Sequence, residues 1–470
     1  MATVTQIALQ LFLLIAITLL TVAIYRLYLH PLAKFPGPKL AALTSAYEGY
    51  YDCFKDGGGR YWVELHIRDR SSSWSDIYRI TRRANKPEWF YQLFGTSGNT
   101  FSTVAADVHR LRRDAIQPYF SPAAVARHEA EVERLVGKLA RRLLAFKNAQ
   151  KVVNLGDAFR CLATDVATAF AFRKPFGHLE SEDFEHEGNE AVRKFGLLGL
   201  WNRHSNGWVM KVMAWQLAVV VKTELELAAG SDGKVVEEAE TNIIQQILNS
   251  SLPAEEKSPY RVMRECSSVT LAGTETTGSV LTVMAFHLLS NREKGALLRE
   301  EIEQAHRKYG RSPSYQELKE LPYLIGVVNE GLRLNSVSGR LPRYDPKQGM
   351  TYGDWVIPRG TIVATTQNDT HFSPDMFPDP HAFVPERWLD EEERKRLSKY
   401  LLPWGRGVRT CLGMEIALTE IYITLGRLFS PEFGAVFELF DTEYERDIAF
   451  FHDYFSPFPR GKKGLRAFVW

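Results

Sequence analysis

Four cysteines in 470 residues leave almost nothing for disulfide chemistry. Cys53, Cys161, Cys266 and Cys411 follow no pairing pattern, which excludes a stapled secreted scaffold and places the main domain in a reducing compartment. No CxxC or clustered His/Cys run offers a zinc site. Charge of one sign is equally scarce. Lys+Arg 58 against Asp+Glu 56 gives a formal net charge of +2, spread along the chain, so there is no basic stripe of the nucleic-acid-binding kind. Internal repeats, low-complexity tracts and linker-like composition shifts are also missing. Residues 41–470 therefore read as one large domain, mainly α with small β-sheets, its short strands around Trp355–Val363 and Leu465–Val469.

One apolar run stands out. Ile7 through Tyr25 is nineteen residues without a charge, long enough to cross a bilayer as one helix. It lacks the basic start and small-residue cleavage site of a secretory signal. Positive charge follows it (Arg26, Lys34, Lys39), which by the positive-inside rule keeps the next domain cytosolic. Residues 1–26 are thus expected to be an anchor, and 27–40, with Phe35-Pro-Gly-Pro38, a stiff hinge that ends helix.

Three motifs carry chemistry. In the first, Trp404-Gly-Arg-Gly-Val-Arg-Thr-Cys411-Leu-Gly413, a lone cysteine ends a glycine-rich loop just before an apolar helix pattern from Ile416 to Phe429. A helix N-terminus favours a thiolate, and Arg409 two residues upstream adds a cation. Such a thiolate is a nucleophile or a metal ligand; alone, the run is equally an ordinary glycine turn. The second, Glu330-Gly-Leu-Arg333, lies in a helical stretch that opens on a capping box (Ser314, Glu317) and continues with Leu324, Val327, Val328 and Leu332. Glu330 and Arg333 share a helix face, which by itself describes a surface ion pair of little energetic weight. The third, Leu271-Ala-Gly-Thr-Glu-Thr-Thr277, interrupts a long apolar helix from Ser258 to Ser290 with residues that disfavour helix. A local rule broken inside a core helix often marks function.

In this order and at these distances, the three runs resemble the cytochrome P-450 monooxygenases, with Trp404 replacing the usual Phe. The likeness extends over nearly the whole chain. It is nearest to fungal secondary-metabolite oxygenases of the trichodiene-oxygenase type, through Tyr28–Pro38, Ser338–Arg343 and His452–Pro459. The resemblance implies the P-450 fold behind one transmembrane helix, with haem b (iron protoporphyrin IX) as cofactor and Cys411 as axial ligand to the iron. It also implies that His109, Arg113, Arg343 and Arg409 hold the propionates, a role suited to arginine's planar, permanently charged fork. Glu330, Arg333 and Arg387 become a structural trio locking the segment before the cysteine loop. Gly273 leaves room for dioxygen, and Thr276 with Glu275 relays protons.

Electrons are expected from NADPH-cytochrome P-450 reductase, for which Arg394, Lys395, Arg396, Lys399 and Arg406 offer a basic docking face; the first four read equally as a solvated charge run. The substrate is expected to be a hydrophobic small molecule, terpenoid or polyketide-derived, and the location the endoplasmic-reticulum membrane. The chain departs from the family between Tyr61 and Tyr78, where a strand pair is shortened to Ile67–Ser73; Arg173–Lys257 also looks short. Two other readings stay open: a haem-thiolate isomerase or dehydratase that does not use O₂, and a non-catalytic membrane-tethered lipid-binding protein.

Overall fold

The apolar N-terminal run forms helix α1 (Ala2–Ile24) in the computed structural model, which describes residues 2–61, 84–91, 98–205, 207–209, 242–335, 340–352, 354–364 and 366–470. The shortened stretch 67–73 lies outside these residues, as do 210–241 of the stretch from Arg173 to Lys257. Helical turns continue past α1, so Val4–Leu29 is one helix with mean hydropathy 2.7 and no burial, long and apolar enough to cross a membrane. It runs three residues into the expected hinge. Within the rest of that hinge the Phe35 ring packs on Trp355 at 4.7 Å, and Arg26, at the end of the anchor, donates to the Leu43 carbonyl.

Among the described residues, eight further long helices shape the domain: α2 (Ala106–Ile116), α3 (Glu129–Ala149), α4 (Leu155–Phe172), α5 (His186–His204), α6 (Pro259–Ser290), α7 (Arg292–Tyr309), α8 (Pro322–Leu334) and α9 (Met414–Leu428). The sheets are small. An antiparallel three-stranded sheet has order β1 (Val153–Asn154), β7 (Arg466–Val469), β4 (Phe437–Leu439), with Val153 and Leu439 both opposite Ala467. Hairpins β2–β3 (Met350–Tyr352, Trp355–Ile357) and β5–β6 (His452–Asp453, Pro457–Phe458) are the other strands among the described residues. Beyond β3, Val363 makes only an isolated bridge to Arg343.

The main core is built from α3, α4, α6, α8, α9 and β7. Within it, α4 and α6 run antiparallel at close range, which small residues permit. A Cβ on Gly278 would lie 2.9–3.0 Å from the backbone and side chain of Arg160, and one on Gly273 would lie 2.8 Å from the Ala167 Cβ. Gly156 faces Thr282, and Thr164 bonds Thr274 at 3.2 Å. Helix α4 starts where the Asn154 side chain accepts from the amides of Gly156 and Asp157.

The stretch read as one helix from Ser314 to Leu334 is two. The capping box at Ser314 and Glu317 forms as expected, but its helix ends at Leu318. Pro322, lacking an N–H, then opens α8. The Tyr323 and Leu324 amides are capped from outside by the Glu301 carboxylate of α7, at 2.7 and 2.8 Å.

Two glycine substitutions should move stability in opposite directions. Gly278→Ala forces its methyl into the Arg160 backbone and should cost about 1–3 kcal/mol. Gly137→Ala, in α3 with only the mobile Arg141 tip nearby, should gain up to about 1 kcal/mol from helix propensity. Thermal midpoints of the two variants beside the parent check both signs.

Candidate active site

The cysteine loop closes on itself. Gly405 and Gly407 adopt φ of 70° and 78°, which a side chain would strain, and Gly407–Arg409 makes a tight turn. The Cys411 amide donates to the Trp404 carbonyl at 2.8 Å, and Trp404 packs partly buried on the core. The loop delivers Cys411 three residues before α9. Its side chain is accessible, yet burial raises the thiol above its ordinary pKa; the Gly413 amide and the Arg113 charge oppose that rise. The expectation that Arg409 is the activating cation is corrected. Its guanidinium donates to the Thr103 and Val104 carbonyls at 2.9 and 3.0 Å, while Arg113 reaches the cysteine loop, donating to the Thr410 carbonyl at 2.7 Å.

Five basic side chains gather beside this loop. His109 and Lys86 are buried, and the charges acting on them are cations: Arg409, Lys86, Arg113 and Arg343 on His109, and Arg343 and Arg409 on Lys86. Burial, with these charges, pushes His109 down to about 2 and holds Lys86 well below the usual lysine range. Arg409 falls to about 9, first through burial and then through Arg343. Its Nε is buried without a hydrogen-bond partner. Arg343 donates to the Tyr91 hydroxyl. Lys86, which the sequence reading did not single out, sits 4.1 Å over both the Tyr91 and Phe101 rings.

Glu330, Arg333 and Arg387 are brought together. Glu330 and Arg333 are fully buried and pair at 2.7 and 3.0 Å; Glu330 also accepts from Arg387 Nε at 3.1 Å, Trp388 Nε1 at 3.0 Å and the Val384 amide at 3.0 Å. Arg333 donates onward to the carbonyls of His371, Pro380 and Ala382. His371, also missed, links this hub to the cysteine loop. The Leu402 amide donates to its Nε2 at 2.8 Å, so Nδ1 carries the proton and donates to the Arg333 carbonyl at 3.1 Å.

On α6, Thr276 donates to the Ala272 carbonyl at 2.7 Å, and the neighbouring Leu271 and Ala272 are exposed although they lie mid-helix. Glu275 points elsewhere, into a two-pronged pair with Arg160 at 2.8 and 2.9 Å. The expectation that Gly273 leaves room for dioxygen is corrected: its missing side chain faces Ala167, so the glycine serves the α4–α6 approach. In the basic run, Lys395 pairs with Glu391 and Glu392 and Arg396 with Glu393, while Arg394 and Arg406 donate to the Trp388 and Lys399 carbonyls, which leaves their charge in place.

A family model described as cytochrome P450 matches residues 78–431. The chain belongs to the cytochrome P450 family. It is 34% identical to the cytochrome P450 monooxygenase sdnE of Sordaria araneosa, covering 96% of both chains. It is also 34% identical to tryptophan 6-hydroxylase fscE of Fusarium equiseti (96% and 94% covered), and 33% identical to conidiogenone synthase PchP450 of Penicillium rubens (86% and 88%). The alignment to sdnE spans 499 positions against a chain of 470 residues, so that relative has stretches this P450 lacks.

As a P450 the chain is an oxygen-incorporating oxidoreductase with a haem-thiolate cofactor, a redox partner and a hydrophobic substrate. The residues present fit that cofactor. A dianionic ligand would supply the negative charge that the basic cluster lacks among the charges acting most strongly on His109 and Lys86, and the accessible thiol supplies the metal donor.

Two outcomes follow from the buried hub. Arg333→Ala leaves the Glu330 carboxylate buried and undercompensated and should cost about 3–5 kcal/mol, read as loss of folded yield or a collapsed thermal midpoint. His371 is held down to about 3 by burial and Arg333, below its unfolded value. Below about pH 6.5 the unfolded chain therefore binds more protons than the folded one, and stability should fall as pH drops from there. Thermal midpoints between pH 7.5 and 5 test the sign.

Proposed function

We propose that this chain binds haem b (iron protoporphyrin IX) through the Cys411 thiolate and oxidises a terpenoid or polyketide-type molecule in fungal secondary-metabolite biosynthesis, with electrons from NADPH-cytochrome P-450 reductase. The observation that carries the reading is one accessible, desolvated thiol beside a cluster of five basic side chains. Bound haem supplies the oxygen-activating chemistry. Cys411 must lose its proton to bind iron, so its raised pKa makes binding release a proton and strengthen with rising pH. Arg113, Arg343, Arg409 and His109 hold the propionates, and Trp404 braces the loop from the core side. The trio of Glu330, Arg333 and Arg387 touches no substrate and keeps the loop in register.

The apolar, uncharged surface at Leu271 and Ala272 supports a hydrophobic substrate beside Thr276. Relatives of equal identity include one named for tryptophan, so the substrate class rests on that surface and on the family group. Thr276 supplies a hydroxyl there that can pass a proton. Glu275 is the acid behind it and must leave Arg160 to act. The Val4–Leu29 helix anchors the protein in the endoplasmic-reticulum membrane, with the catalytic domain cytosolic.

The carbon-monoxide difference spectrum of the reduced protein in microsomes should show a strongly red-shifted Soret band that disappears in Cys411→Ser. A band at the position typical of imidazole ligation, or none, would overturn the assignment. Thr276→Ala should keep the band and release more peroxide per NADPH consumed; unchanged coupling would instead favour chemistry without O₂.

A further inference from the structure

We propose that the polar cleft between the start of α4, the start of α5 and the C-terminal segment is the solvent entry for protons, with His186 and Asp157 passing them inward to Glu275. This rests on the reading of Glu275 as the acid behind Thr276.

The geometry is a gradient from outside to inside. The His186 side chain is 48% exposed and meets Asp157 at 2.7 Å, Nδ1 to Oδ2; Asp157 is 7% exposed. Asn154 and Asn189 hold the same carboxylate at 2.6 and 3.1 Å. Arg160, one turn further along α4, lines the same cleft and grips Glu275, which is 6% exposed. Ser279 and Thr282 also line the cleft, one and two turns from Glu275 on its own face of α6. Glu275 thus sits between a polar cleft on one side and the Ala272–Thr276 surface on the other.

Structural needs explain only part of this. Asn154 already caps α4, and a carboxylate in the first turn suits the helix dipole. Neither role requires a half-exposed histidine on that carboxylate, nor a polar space leading to Arg160. The charged groups around Asp157 are Arg160 on α4, His186, Glu190 and Arg193 on α5, Asp183 just before α5, and Lys462 and Asp447 from the C-terminal segment. Burial raises Asp157, and the bond to Asp157 raises His186, so both hold protons more readily than free groups do.

The transfer is balanced and moves no electrons. Neutral His186 with its proton on Nδ1 takes a proton from solvent at Nε2, and the imidazolium so formed gives its Nδ1 proton to Asp157; exchange with solvent then returns the remaining proton from Nε2 to Nδ1. Asp157 passes its proton through cleft water to the Glu275 carboxylate. Neutral Glu275 releases Arg160 and protonates the Thr276 oxygen as that hydroxyl hands its own proton to the acceptor on the substrate side, and the Glu275 carboxylate so regenerated pairs with Arg160 again.

The test uses the full-length holoenzyme with its reductase, comparing Asp157→Asn, His186→Gln and Glu275→Gln with the parent. NADPH oxidation should slow about tenfold in the first two variants. Its solvent isotope effect in D₂O should rise, with the carbon-monoxide spectrum and thermal midpoint retained. The parent rate should fall as pH rises above 6.5 through the raised His186 pKa, and His186→Gln should flatten that fall. A readout independent of turnover is the His186 NMR titration, which Asp157→Asn should return toward 6.5. Unchanged rates and isotope effects in Asp157→Asn and His186→Gln, with Glu275→Gln impaired, would overturn the cleft alone. So would a lower thermal midpoint with an unchanged isotope effect, which marks a structural tie. If Glu275→Gln is also silent, the relay reading itself fails.

Discussion

Glu330 accepts from two Arg333 nitrogens, Arg387, Trp388 and the Val384 amide without any contact with solvent. A carboxylate taken out of water is tolerable only when its lone pairs are all met, so these donors have almost no freedom to move independently. Arg333 extends the constraint to three carbonyls between His371 and Ala382, and the His371 ring extends it to Leu402, two residues before Trp404. The cysteine loop is therefore hung from α8 by a chain of buried polar contacts. Its own glycine turns only shape the last few residues.

The second constraint is the antiparallel contact of α4 with α6. Glycine at 273 and 278 lets the backbones approach, and that approach brings Arg160 into reach of Glu275. The packing and the polar site are thus one arrangement. The residues that disfavour helix in α6 divide their tasks by face: Gly273 and Gly278 serve packing, Glu275 pairs inward, and Thr276 faces the open side with Leu271 and Ala272.

Much of the site was legible because its parts are local. A glycine loop ending in cysteine, an i, i+3 Glu–Arg pair and a Gly-Thr-Glu-Thr run inside an apolar helix are short patterns with short-range reasons. Lys86, His371 and Arg160 carried no such pattern. Each matters through a partner far along the chain: Arg409 for Lys86, Leu402 for His371 and Glu275 for Arg160. Local proximity also misled. Arg409 is two residues from Cys411, but its guanidinium reaches carbonyls at Thr103 and Val104, whereas the distant Arg113 acts on the thiol. In the basic run at 394–399, Lys395 and Arg396 are met by glutamates one helical turn earlier, which a count of cations alone does not show.

What the sequence by itself determined is the set of short-range structures: the apolar membrane-length helix, the capping box at Ser314, the cysteine turn and the mainly helical pattern, since hydrophobic period, capping and φ preference act over a few residues. Only the tertiary structure decided which cation meets the thiol, which carboxylate is neutralised and which side of Gly273 is filled. Those depend on burial and on distances between segments separated by tens to hundreds of residues, where desolvation and Coulomb energies are set by neighbours that no local pattern specifies.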